Sequence, residues 1–127
     1  MRRALVAALT LLATPALAHE EARFNLDCRE FEDRETLATH IDHQFSVDLD
    51  AMSVCRRGNP RCAEVVRQGR FLEFSYRFQD GDQAMEVFRL YDPETGSLTQ
   101  IMRRVGDPGR SYGDAVCEVR PFASVTD

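Results

Sequence analysis

The chain reads as all-β or β-rich: a small antiparallel sheet run as a meander and curled into a barrel or sandwich, with one or two short helical turns. Three observations predict this. Apolar and polar residues alternate with period two over several runs of the second half, the pattern of half-buried strands. Short turn sequences containing Gly, Pro and Asp separate those runs, so successive strands join tightly and pair antiparallel. The 4 cysteines all lie beyond the first 18 residues, and an even count in a small exported domain reads as a disulfide framework.

The first strand is Phe24-Asn25-Leu26-Asp27-Cys28, where apolar and polar residues alternate. The stretch 29–43 is ambiguous. Leu37 and Ile41 are spaced for one helix face, yet Leu37, Ile41, Phe45, Val47 and Leu49 also share one strand parity. Clean alternation predicts a strand only for 44–49, QFSVDL, and 33–41 is read as a helical turn. Ala63 to Gln68 is read as a second short helical turn, ending at Gly69.

The later elements are plainer. In RFLEFSYRFQ, Leu72, Phe74, Tyr76 and Phe78 share one face against Glu73, Ser75, Arg77 and Gln79. Asp80-Gly81-Asp82 turns the chain. AMEVFRLY (84–91) is apolar on both faces, as in the middle of a sheet. Asp92-Pro93-Glu94-Thr95-Gly96 suits a type I turn that ends on a left-handed glycine. SLTQIMRRV (97–105) returns, Gly106 to Arg110 is a loop, and DAVCEV (114–119) is the last strand.

Export is predicted by the first residues, MRRALVAALTLLATPALA. Arg2 and Arg3 give a basic start, Ala4–Leu12 an apolar stretch, and Ala16-Leu17-Ala18 a small-residue cleavage site. Residues 1–18 are thus read as a signal peptide and 19–127 as one disulfide-stapled domain, periplasmic or secreted. No later stretch is apolar enough to predict a membrane span. The formal net charge is −5, and all 16 basic residues are arginine. Acidity argues against a general nucleic-acid or anionic-membrane binder.

Of the three possible cysteine pairings, Cys55–Cys62 with Cys28–Cys117 is favoured. Gly58-Asn59-Pro60 supplies turn chemistry for the short loop. The long link would tie the first strand to the last. The spacing C-x6-C does not suit a thioredoxin-like C-x-x-C site or the paired close cysteines of structural zinc.

Several pieces together carry a resemblance: Phe24 to Cys28, Val47-Asp48-Leu49-Asp50, Cys55 to Cys62, Tyr91 to Gly96, and Cys117 followed by Pro121-Phe122. In this order the chain resembles small uncharacterised, disulfide-containing secreted β proteins of proteobacteria. The resemblance implies a fold and a compartment, and it carries no activity.

Candidate chemistry is sparse. Cleavage after Ala18 would make His19 the first residue, and its α-amine and imidazole chelate copper in principle, with His40 or His43 adding a nitrogen. The plainer reading of these histidines is surface or edge positions. Asp48/Asp50 and Asp80/Asp82 do not complete a calcium loop, and no G-x-S-x-G, Walker or H-E-x-x-H motif occurs. The loop CRRGNPRC projects Arg56, Arg57 and Arg61 from a fixed base. Such a tip grips carboxylates or phosphates, or it is a solvated staple. The sequence therefore predicts a non-enzymatic binding or interaction module, with a protein or small ligand as partner and no cofactor. A periplasmic copper-binding protein is the alternative.

Overall fold

The computed structural model describes residues 21–59, 61–107 and 111–126. Residues 1–20, which include the expected signal peptide and His19, lie outside that range. Eight antiparallel strands form an up-and-down barrel closed by pairing of the first with the last. They are β1 (Arg23–Glu30), β2 (His43–Asp48), β3 (Ser53–Arg56), β4 (Cys62–Gln68), β5 (Phe71–Asp80), β6 (Gln83–Tyr91), β7 (Ser97–Arg104) and β8 (Ser111–Arg120). No described segment is a helix. None is therefore a helix long and apolar enough to cross a membrane.

Both helical expectations are corrected. Residues 63–68 belong to β4, where Val65 is buried in the core and pairs with Phe74. Gly69, at φ 64°, closes a tight β4–β5 turn rather than a helix end. Residues 33–41 form an irregular loop. The Asp33 carboxylate accepts from the backbone amides of Glu35 and Thr36, Leu37 bridges back to Phe31, and the Ala38 amide donates to the Glu30 carbonyl. A short acidic side chain here competes successfully with helix formation. Strand β3, only 4 residues long, was not expected.

Alternation divides the barrel into an inside and an outside. Leu26, Phe45, Val47, Leu72, Tyr91 and Leu98 are among the buried inward residues. They fill the end of the barrel that carries the β2–β3, β4–β5 and β6–β7 turns, so that end is solid. At about 25 cal/mol per Å² of apolar area removed from water, this filled half is the main source of stability. Outward positions on β1 and β2 include Arg23, Asp27, Gln44 and Asp48, which are charged or polar.

Two disulfides hold the barrel. Cys28 and Cys117 face each other across the β1–β8 seam, 89 residues apart in sequence, with both side chains buried. Cys55 and Cys62 close the β3–β4 hairpin. Two disulfides in so small a domain are consistent with an oxidising compartment. Near the seam, Gly96 has φ 80°, and a Cβ there would meet the Cys117 carbonyl oxygen at 2.9 Å. The Gly96 carbonyl in turn accepts from the Cys117 amide. Only glycine permits this close approach of the β6–β7 turn to β8.

Candidate functional site at the open end of the barrel

The other end of the barrel is hollow. Beyond Phe45, Phe74 and Leu98, the inward positions stop being uniformly apolar. A cavity of about 600 Å³ opens between the β1–β2, β3–β4 and β5–β6 connections. Its size lies within the range of small-molecule sites. Its walls differ. Glu30 on β1, His43 on β2 and Arg56 on β3 make one side polar, whereas Tyr76, Phe78, Val87 and Met102 on β5–β7 make the other side apolar.

At its floor lies Arg89. Its residue is only 4% exposed, because it has the inward parity of Val87 and Tyr91 on β6. The guanidinium lies 5.2 Å from the ring centroid of Phe45 and 5.2 Å from that of Tyr76. Its Nε donates to Gln100 Oε1 at 2.7 Å. Among the described residues no carboxylate forms an ion pair with it. Burial pushes its pKa down from the ordinary arginine value, with Tyr76 opposing. An arginine nevertheless stays protonated in a protein, so the floor of the cavity carries a full positive charge.

A chain of hydrogen bonds runs from that floor to the rim. Gln100 Nε2 donates to Glu30 Oε1 at 3.0 Å. His43 Nε2 lies 2.7 Å from the same Glu30 oxygen. Arg56 reaches His43 Nδ1 from two nitrogens, at 2.9 and 3.3 Å. Arginine can only donate, so Nδ1 accepts and the proton sits on Nε2, aimed at Glu30. The imidazole is therefore neutral, and its contact with Glu30 is a hydrogen bond rather than an ion pair.

The electrostatics agree. Burial lowers the His43 pKa below its ordinary value of 6.5; the Glu30 hydrogen bond opposes this, and the charges of Arg89 and Arg56 add to it. A histidine whose folded pKa is depressed disfavours protonation in the folded state. Its contribution to stability is complete above about pH 6.5 and is lost as pH falls towards the depressed value. Asp42 behaves likewise at lower pH. Its carboxylate accepts from the Glu30 amide at 2.8 Å, which holds its pKa below 3.8. Urea midpoints measured against pH should therefore fall in two steps, one below pH 6.5 and one below about pH 4. His43→Gln should abolish the upper step alone. A flat midpoint between pH 7 and 5 in the wild-type protein would contradict a neutral His43.

The residues singled out from sequence separate in space. Arg56 enters the cavity from the end of β3. Arg57 and Arg61 are exposed, and the cavity rim takes Gly58 and Asn59 instead. Asn59 Oδ1 accepts from the Arg61 amide, and its own amide donates to the Arg56 carbonyl, which stiffens the loop. His40 is exposed and contacts Asp42 at 2.9 Å, whereas His43 turns into the barrel with both ring nitrogens engaged. The two do not converge. No group of three or more metal-ligating side chains occurs among the described residues. Asp48 is a turn residue, its carboxylate accepting from the amides of Asp50 and Ala51.

Glu30, Arg89 and Gln100 were missed from sequence. The signal was one of parity: Arg89 alternates in step with Val87 and Tyr91, and Gln100 with Leu98 and Met102. A charged or amide side chain in step with core residues is a polar group facing inward. Compared with family models, curated proteins and solved structures, the chain matches none of them.

Proposed function

We propose that the protein is a non-enzymatic, exported binding protein whose barrel mouth holds a small amphipathic anion. One observation carries the reading: Arg89 is buried in the cavity floor, and among the described residues no carboxylate forms an ion pair with it, Glu30 acting on it only from a distance. A buried charge is costly unless it is neutralised. Two aromatic faces and an amide oxygen compensate part of that cost, and an anion entering the cavity supplies the rest. The apolar wall of Tyr76, Phe78, Val87 and Met102 suits the body of such a ligand.

The charge count fits a monoanion. Among the described lining residues Arg56 and Arg89 are positive, Glu30 is negative and His43 is neutral, leaving one positive charge in excess. Carboxylate is the natural head group for a planar guanidinium. The CRRGNPRC hairpin then serves as part of the rim, its disulfide holding Arg56 and Asn59 in place.

The experiment is calorimetric titration of the purified, oxidised protein with octanoate, octan-1-ol and octylamine. Octanoate should bind at least tenfold more tightly than the alcohol, and the amine should not bind. Equal affinity for acid and alcohol, or no binding of the acid, overturns the proposal.

A further inference from the structure

Resting on the anion-binding reading, a second polar requirement of the ligand follows from Glu30. Its Oε1 is fully used, accepting from His43 Nε2 at 2.7 Å and Gln100 Nε2 at 3.0 Å. Its Oε2 accepts no hydrogen bond from any described residue. The Glu30 side chain is 42% exposed, and the residue lines the cavity. Glu30 thus offers, at the wall of the cavity, a solvent-reached carboxylate oxygen free to accept from a ligand.

Its position relative to Arg89 is fixed. The Gln100 amide spans the two, taking the Arg89 Nε proton on Oε1 and giving an Nε2 proton to Glu30. Donor and acceptor are thus held at the two ends of one side-chain amide. A molecule whose anionic head meets Arg89 and which carries a donor a few atoms away reaches both. We infer that the ligand is a hydroxylated carboxylic acid, its carboxylate on Arg89, its hydroxyl donating to Glu30 Oε2, and its apolar chain against Tyr76, Phe78, Val87 and Met102.

The donor is a hydroxyl rather than an ammonium for reasons of charge. A monoanion cancels the single positive excess of the cavity. A zwitterion leaves that excess in place. Hydrogen bonds to a charged acceptor are the stronger kind, and discrimination comes from a polar group that an unsubstituted ligand leaves unmatched. Water reaches the open mouth and meets part of that need, which limits the gain to about tenfold.

The test compares β-hydroxyoctanoate, octanoate and β-aminooctanoate on the wild-type protein and on Glu30→Gln. The hydroxy acid should bind the wild type about tenfold more tightly than octanoate. In Glu30→Gln the preference should vanish, because an amide NH2 replaces the open acceptor. Equal binding of the two acids by the wild type overturns the hydroxyl assignment while leaving the anion reading intact. So does a preference that survives in Glu30→Gln. Tightest binding of the amino acid overturns it in favour of a zwitterion. Failure of both acids to bind overturns the inference and the anion reading together. The wild-type comparison decides the preference even if Glu30→Gln folds poorly.

Discussion

Replacing Cys28 and Cys117 together by alanine should lower the free energy of unfolding by about 4–5 kcal/mol. The bond joins residues 89 apart in sequence, and closing a loop of that size removes about 4.6 kcal/mol of denatured-state entropy in the chain-entropy model. The location adds to the effect. Cys28 and Cys117 are directly opposed in the β1–β8 pairing that closes the barrel, so the unfolded chain loses its longest constraint at the seam. The same replacement at Cys55 and Cys62, 7 residues apart, should cost only about 2.5 kcal/mol. A domain of this kind has roughly 5–15 kcal/mol in all, so the seam variant should be marginal at body temperature and the hairpin variant folded. Urea denaturation followed by far-ultraviolet circular dichroism measures both. A hairpin variant less stable than the seam variant would contradict loop size as the controlling factor.

Legibility in the sequence follows how local each feature is. Strands β5 to β8 are plain, because Leu72-Phe74-Tyr76 alternates cleanly and the Asp80-Gly81-Asp82 and Asp92–Gly96 turns punctuate it. Strand β3 is not, since a run of 4 residues has too few positions to display a period. In β4 the buried residue is Val65, while Val66 is exposed on the other face. Two adjacent valines blur the alternation, and a helical turn explains the spacing equally well. Closure is a nonlocal matter. An open sheet and a barrel share the same strands, and only the β1–β8 pairing separates them.

The site follows the same logic. CRRGNPRC drew attention as a loop, but which of its arginines faces inward depends on the parity of β3, with Val54 buried and Arg56 in step with it. Arg89 was hidden for the opposite reason. AMEVFRLY has apolar residues on both faces, Val87 and Tyr91 inside and Phe88 and Leu90 outside. A single arginine in such a run passes for a surface position. Its inward direction becomes evident once Tyr91 is fixed in the core. Glu30 and His43 come together only because β1 and β2 run side by side, with Cys28 opposite His43.

Arg89→Met should make the protein more stable and useless as a binder. Methionine nearly matches the length of the arginine stem and removes the charge. The loss is two aromatic contacts, to Phe45 and Tyr76, and the hydrogen bonding to Gln100 and to the Tyr76 side chain. Gln100 keeps its bond to Glu30, and its freed oxygen faces a cavity that water enters. The gain is relief from the cost of holding a cation out of water, which amounts to several kcal/mol per ion. Replacing buried charges with hydrophobic residues of similar volume is often neutral or stabilising by about 1–4 kcal/mol. A net gain of about 1–2 kcal/mol is expected here, because the aromatic faces already compensate part of the charge. Octanoate affinity should fall tenfold to a hundredfold, the scale of one charge-assisted hydrogen-bonded contact. The urea midpoint and a calorimetric titration on the same sample read both effects. A variant that is less stable by 1 kcal/mol or more and still binds octanoate normally would make Arg89 a structural residue. A stabilised variant that has lost the ligand would show that this charge is held in the barrel for binding, at the expense of the fold.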